Sequence, residues 1–359
     1  MIVYFATVFL VVFFAALAQN YDRPRLSNNG LRFQHSQAAG FFFFFVIAVL
    51  VFVSGFRYYV GTDYGAYYRG YRWYSNSLRS AILTLKEPGY PLICRVAVLL
   101  HGDGATAIFL SSLLMIWPAL RMIYRHTDKL LPAALLYIFL GCWSGGFNGV
   151  RQYLAATMLF CGYESLEAKD TKRYIFFVLL AFLFHRSSVV MLALIFAVHR
   201  KINVRNLAVV VLGGIVLFFF YERVLSFAGW ITEHSYSLKD EYVLHTVNIL
   251  RVLTACAPAI FFLSVLWRCP KDAQTTFYLN LLTIHAAISV ATMNSALLYR
   301  IGIYSALFQV VAIPELLKRL RPKTAGVASP VITILYAVVW LYEIAGSSSL
   351  RNFHWIWQR

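Results

Sequence analysis

Long apolar runs recur along the chain, at about 1–18, 40–56, 105–120, 131–147, 150–166, 174–185, 187–199, 206–220, 249–267, 274–293, 297–317 and 329–346. About twenty apolar residues of helix cross the hydrocarbon core of a bilayer. Inside that core every backbone polar group must be satisfied by the segment itself or by a closed barrel, and runs of this length are helical. The sequence therefore predicts an all-α polytopic membrane protein of roughly twelve transmembrane helices. A shorter piece, Tyr90 to Leu100, is interrupted by Arg95 and reads as a half-membrane or interfacial helix.

Composition supports this class. Of 359 residues, 60% are hydrophobic and only 13% charged, more apolar surface than a water-soluble fold can bury. Met1 to Ala18 has no basic stretch before its apolar run and no small-residue cleavage site, so it is expected to remain as a helix. No linker, low-complexity segment, soluble domain or internal repeat is visible, which predicts a single integral membrane domain over 1–359. Two longer outer loops are expected within it, at about 56–89 and 221–248. The five cysteines are scattered through apolar runs with no CxxC pair, so packing is their expected role.

Thirty-two Lys and Arg against fifteen Asp and Glu give a net charge of +17. Arg23, Arg25, Arg32, Arg121, Arg125, Lys129, Lys169, Lys172, Arg173, Arg200, Lys201, Arg205, Arg268, Lys271, Lys318, Arg319, Arg321 and Lys323 all fall on one face if the short helix does not cross. The positive-inside rule makes that face cytoplasmic and puts both termini outside. The outer face nevertheless stays net positive, as expected if some outer arginines hold an anionic ligand.

The chemistry-bearing residues collect on that outer face. Gly145-Gly146-Phe147-Asn148-Gly149-Val150-Arg151-Gln152 breaks one apolar run and opens the next. With Asn148 as a plausible N-cap, the helix start, its free N–H groups and Arg151 would converge on one anion. The outer loop near 56–89 carries Arg57, Gly61-Thr62-Asp63-Tyr64, Tyr68 and Tyr71, with Tyr64, Tyr68 and Tyr71 on one face if helical. Rings interleaved with arginine suit sugars and phosphates, and equally an interfacial aromatic belt. Asp63 has no place in a belt. Glu87 closes the loop before Pro88-Gly89-Tyr90, and His185 lies between two short spans in Phe184-His185-Arg186-Ser187-Ser188. Arg251 and Arg300 open later spans. An arginine placed in hydrocarbon costs about 2.5–3.5 kcal/mol on insertion scales, so such residues are functional candidates. There is no GxxxxGK[ST], HExxH or Asp-x-Asp motif, so neither ATP, a metal nor another cofactor is expected, nor a nucleic-acid partner.

Gly61-Thr62-Asp63-Tyr64, Glu87-Pro88-Gly89-Tyr90, Asn148-Gly149-Val150-Arg151-Gln152 with Leu154-Ala155, Phe184-His185-x-Ser187 and Arg300-x-x-x-Tyr304 occur in this order. Together they resemble the EpsG-like family of Wzy-type polysaccharide polymerases, over about Arg57 to Tyr304. Ser188 departs mildly from the small residue often found there, and Arg186 occupies a variable position. The resemblance implies a multi-span glycosyltransferase of GT-C-like architecture in the bacterial inner membrane, with a periplasmic or extracellular active face. It would join oligosaccharide repeat units carried on undecaprenyl diphosphate, transferring the growing chain as a block onto a new repeat unit. A chain-length regulator and a flippase are partners the family implies, beside the membrane lipids. The implied roles are diphosphate or glycan binding for Arg151, Gln152, Arg300, Arg251, Arg57, Tyr64 and Tyr304. Asp63, His185 and Glu87 are the candidate bases, with Asp63 slightly preferred and Glu87 better suited to positioning. Other readings are an O-antigen ligase-type glycosyltransferase, with the same chemistry and another acceptor, and a flippase or transporter for a lipid-linked glycan. The missing repeat and the placement of polar groups at the outer edge count against a transporter.

Overall fold

Short polar side chains start most of the long helices. Ser36 accepts from the Ala39 N–H, Asp103 closes a capping box with Thr106, and Asp170, Asn203, Asn248 and Asp272 each accept from an N–H of the following turn. Prolines inside four of the helices (Pro118, Pro258, Pro314 and Pro330) are tolerated because membrane helices re-satisfy the freed carbonyls locally. The structure, a computed structural model, describes residues 1–27, 30, 32–220, 222–223, 246–269 and 271–358. Most of the expected outer loop 221–248 therefore lies outside the described residues.

In chain order the helices are α1 Ile2–Asn20, α2 Gln37–Gly55, α3 Tyr64–Leu83, α4 Gly89–Leu99, α5 Gly104–His126, α6 Leu130–Phe139, α7 Val150–Cys161, α8 Tyr163–Glu167 and α9 Thr171–Phe184. They continue as α10 Leu194–Ala197, α11 Val204–Phe219, α12 Ile249–Leu266, α13 Ala273–Ala291, α14 Ala296–Tyr299, α15 Gly302–Leu317, α16 Pro322–Gly346 and α17 Ser348–Arg351. Two-residue strands β1 Arg25–Leu26 and β2 Phe33–Gln34 pair antiparallel in the first loop. The protein is thus an all-α polytopic membrane protein.

Among the described residues seven helical stretches are long and apolar enough to span: Ile2–Asn20, Gln37–Gly55, Gly104–His126, Leu130–Phe147, Ile249–Leu266, Ala296–Leu317 and Pro322–Gly346. The other five expected runs also fold as helix, in different forms. Residues 150–166 break at Gly162 into α7 and α8, and 187–199 begins as a 3-10 helix, Arg186–Ala193. The helices α9 and α11 are 14 and 16 residues long, shorter than a full crossing, and α13 is 19 residues with polar Asn280 and His285 inside it.

Burial sorts the helices. On α15 every residue from Leu307 to Leu317 is buried, and α7 buries Leu154, Ala155, Ala156, Leu159 and Phe160. A helix that is apolar all round belongs in the middle of a bundle. At the periphery α1 shows Phe5, Phe9 and Phe13, and α16 shows Val327, Val331, Ile334, Leu335 and Val338, faces that suit lipid chains. The short helix α4 likewise exposes Leu92, Val96 and Leu99, with Leu100 exposed just after it.

The two ends of the bundle differ in chemistry. At one end Arg32 pairs with Glu164, Lys318 with Asp128 at 2.5 Å, and Arg319 donates to Thr275 at 2.6 Å. Residues expected on the cytoplasmic face meet there. At the other end residues 349–356 are laced onto the start of the outer loop. Gly61 N–H donates to the Ser349 carbonyl at 3.0 Å, Tyr58 N–H to His354 at 2.8 Å and Ile356 N–H to Phe56 at 2.9 Å. The Met1 ammonium reaches the Arg351 carbonyl at 3.2 Å, so α1 begins at this end too.

Candidate functional site

The site gathers where α7 begins and α9 ends. His185 caps α9 with extended backbone, and the chain then turns into the 3-10 helix Arg186–Ala193. Gly89 lies against the Phe184 ring so closely that a Cβ there would come within 2.6 Å of it. That close approach brings Glu87, two residues earlier, to the tip of α9. Leu85 and Glu87 both have left-handed backbone, at φ 51° and 52°, unfavourable for residues with a Cβ. The Arg186 guanidinium secures this turn by donating to the carbonyls of Leu85 at 3.0 Å and Thr84 at 3.4 Å.

Glu87 is the hub. Its Oε2 accepts from Arg151 Nη1 at 2.5 Å, and its Oε1 bonds His185 Nδ1 at 2.7 Å and accepts the Arg186 N–H at 3.0 Å. Burial alone would raise the Glu87 carboxyl. The hydrogen bond and charge of His185, the charge of Arg151 and the Arg186 N–H outweigh it and hold it at about 2. Glu87 is therefore an anion at any physiological pH. Because Nδ1 of His185 is engaged, its Nε2 faces away from Glu87 and makes no hydrogen bond among the described residues.

Arg151 uses Nη1 for Glu87 and shares a side-chain hydrogen bond with Tyr67, while its buried Nε has no partner. The neighbouring Gln152 Oε1 is also buried without a partner. Behind them the Tyr304 hydroxyl bonds Ser187 Oγ at 2.7 Å, with Glu87, Arg300 and Arg151 within electrostatic reach. Arg300 and Arg251 both lie within that reach of Tyr153. Arg251 is itself paired with Glu343, Nε to Oε1 at 2.5 Å, and is half exposed.

The Gly-Thr-Asp turn docks on the loop before α7. Asn148 Oδ1 accepts from the Thr62 N–H at 2.8 Å and the Thr62 hydroxyl at 3.3 Å. Gly61 has φ 99°, and a Cβ there would sit 2.4 Å from the Phe147 carbonyl oxygen. This corrects the expectation that Asn148 caps α7. Gly149 holds the N-cap position with no side-chain bond, because the Asn148 side chain is spent on Thr62. Asp63 is half-buried beside that turn, its Oδ1 accepting from Thr62 Oγ1 at 3.2 Å.

Two other residues stand differently from expectation. Arg57 is 2% exposed and its donors face inward, to the carbonyls of Ser54 and Val60 and the Ser112 hydroxyl. Its guanidinium lies 4.5 Å from the Phe147 ring centroid, so it props the loop from below. Tyr64 is 1% exposed, stacked at 5.7 Å on Tyr68 beneath Tyr58 and Tyr59. Tyr59 and Trp73, at 43% and 68% exposed, are the most exposed rings of this segment. Sequence reading also missed Glu343 as the partner of Arg251, and the buried His285–Ser305 bond at 2.8 Å under Gly302. The polar positions inside α13, α15 and α16 were the available signal. Among the described residues no three His, Cys, Asp or Glu side chains group as metal ligands would.

The EpsG family matches residues 40–356, which takes in every element of this site. The chain belongs to the EpsG family. No curated protein and no solved structure matches it. EpsG-like proteins are of the Wzy-type polymerase family and act on lipid-linked oligosaccharides in membranes. This EpsG-family chain is accordingly a polysaccharide polymerase in the broad sense, of the glycosyltransferase type.

Proposed function

We propose that the whole chain, 1–359, works as one membrane domain of GT-C-like architecture that polymerises repeat units carried on undecaprenyl diphosphate. The active end would face outward from the bacterial inner membrane, consistent with the basic residues gathered at the opposite end. The observation that carries the reading is the Arg151–Glu87–His185 unit, a cation, a fixed carboxylate and an oriented imidazole in one hydrogen-bonded group.

In this reading the acceptor hydroxyl oxygen attacks the anomeric carbon of the growing chain. The bond from that carbon to the diphosphate oxygen breaks, and the hydroxyl proton passes to His185 Nε2. Glu87 is a positioning residue. By holding Nδ1 it fixes the tautomer that leaves Nε2 as the base, as a carboxylate does for a general-base histidine in acyl-transfer sites. Arg151 and Arg300 take up the charge of the leaving diphosphate. The unpartnered Gln152 Oε1 suits a sugar hydroxyl better than a phosphate oxygen, since it can only accept. Tyr59 and Trp73 offer sugar-stacking faces, and Asp63, docked beside Asn148, is assigned to acceptor positioning. Arg57 and Tyr64 support the loop, and Tyr304 with Ser187 backs the His185 segment. Arg251 stays with Glu343 at the edge of the cationic region.

The test is the length distribution of lipid-linked glycan in a deletion strain carrying wild type or Arg151→Ala at matched membrane levels. A ladder that collapses to single repeat units with Arg151→Ala supports the reading. A ladder from the empty strain would sink it in favour of a ligase or transporter.

A further inference from the structure

The pairing of Arg151 with Glu87 poses a question that the transfer reaction alone does not answer. If Arg151 is to hold a diphosphate, its main anion partner in the resting protein already occupies the place. An ion pair built only for stability would satisfy the whole guanidinium. Here the buried Nε is left over, one donor more than the surrounding acceptors take up. The pair is also open on one side, with 35% of the Arg151 side chain exposed against 15% for Glu87. Glu87 in turn does not depend on Arg151 to stay put. Its Oε1 remains tied to His185 and to the Arg186 N–H, and its left-handed turn is clamped by the Arg186 guanidinium.

We propose that Glu87 is a resident stand-in for the substrate's anion, and that the lipid diphosphate binds by displacing its Oε2 from Arg151. This rests on the reading of Arg151 as the diphosphate ligand. A diphosphate carries more charge and more acceptor oxygens than a carboxylate, so one phosphate can cover the guanidinium edge that carries the unused Nε while the other takes the Nη1 end, where Glu87 covers the Nη1 end alone. The exchange costs one ion pair and leaves the Glu87–His185 bond in place. Before substrate arrives, the stand-in keeps a desolvated guanidinium from standing uncompensated. After it arrives, the released Oε2 lowers the number of cations competing for Glu87, which strengthens its hold on His185. Substrate binding and orientation of the base are thereby one event.

The test measures undecaprenyl diphosphate and undecaprenol binding to the full-length protein in phosphatidylcholine nanodiscs, for wild type, Glu87→Gln and Arg151→Ala. Wild type is expected to prefer the diphosphate, and Arg151→Ala to lose that preference. If wild type shows no preference, the diphosphate reading of Arg151 itself fails. Given that preference, Glu87→Gln is expected to bind the diphosphate about tenfold tighter, because Arg151 no longer spends most of its time occupied. Its polymerisation kcat should fall at the same time, a split that loss of a structural pair would not produce. Equal or weaker binding by Glu87→Gln at wild-type membrane level overturns the proposal. If Glu87→Gln does not accumulate, Glu87→Asp decides, since its shorter carboxylate keeps the charge but withdraws from Arg151. Tighter binding supports the stand-in, and unchanged or weaker binding overturns it.

Discussion

Arg151 and Glu87, 64 residues apart in sequence, meet Nη1 to Oε2 at 2.5 Å where α7 starts beside the turn into α4. The contact joins the segment with the most conspicuous loop signature to one that looks like an ordinary helix start. It also sets what the carboxylate does in the resting protein, since the guanidinium and the imidazole hold it below its usual range, where it is a weak base.

His185, with Nε2 left open, is therefore expected to carry the proton. His185→Ala should lower kcat by about 10²–10⁴-fold with a smaller change in KM, as typical for loss of a general base. Single-turnover chain extension in lipid would read this. An unchanged kcat for His185→Ala beside a strongly reduced one for Asp63→Asn would hand the role to Asp63.

The depressed Glu87 carboxyl makes a prediction about acid. Its folded value, about 2, lies below the ordinary 4.5, so its contribution to stability is fully present above the ordinary carboxylate range. That contribution is lost as pH falls toward 2. The shift corresponds to on the order of 3 kcal/mol. Glu87→Gln should thus lower the thermal midpoint most at pH 7 and less at pH 3. A gap that widens on acidification would mean that Glu87 is not held as an anion. Between pH 4 and 8 the wild-type activity profile should contain no inflection from Glu87.

Gly61 is expected to tolerate no side chain. At φ 99°, with the Phe147 carbonyl 2.4 Å from where a Cβ would stand, Gly61→Ala meets both strain and a clash with backbone. Left-handed strain alone costs about 1–3 kcal/mol. The turn carrying Asp63 should detach from Asn148, read as faster proteolysis between residues 57 and 63 and shortened glycan. Asn148→Ala should reproduce the effect more mildly.

Arg57 separates support from binding. Arg57→Met keeps the bulk of the buried side chain but strands the Ser54 and Val60 carbonyls, for a loss of about 1–3 kcal/mol. The melting temperature should fall while KM for lipid-linked substrate in the folded fraction stays near wild type. A raised KM at unchanged stability would return Arg57 to the ligand set.

What could be read from the sequence was whatever one segment encodes by itself. Apolar run lengths gave the helices and their order, and the arginine-rich loops marked the end where Arg32 now meets Glu164 and Arg319 meets Thr275. Glycines flagged the breaks before α7. What was not readable depended on partners far away in sequence. Arg57 and Arg151 look alike as loop arginines, yet one is walled in by Ser112 on α5 and the other reaches Glu87 across the site opening. Asn148 fits a cap pattern, but the Thr62 N–H competes for its oxygen and wins. Arg186, at a position with no evident role, turns out to brace the backbone that presents Glu87. The run behind α9, at about 174–185, is already too short for a full crossing, whereas that at 150–166 is near spanning length and is cut by the break at Gly162.

Asn148 sits three residues before Arg151 and grips Thr62, one residue before Asp63. The short backbone between Asn148 and Arg151 thus ties the residue paired with Glu87 to the turn that carries Asp63. Substitutions at Asn148 are therefore expected to reach both the Arg151 end of the site and the Asp63 turn. On the proposed reading, a change in sugar preference that spares the phosphate contact is expected from substitutions farther out on α3 at Trp73, rather than at Tyr67 or Tyr74, which both interact with Arg151.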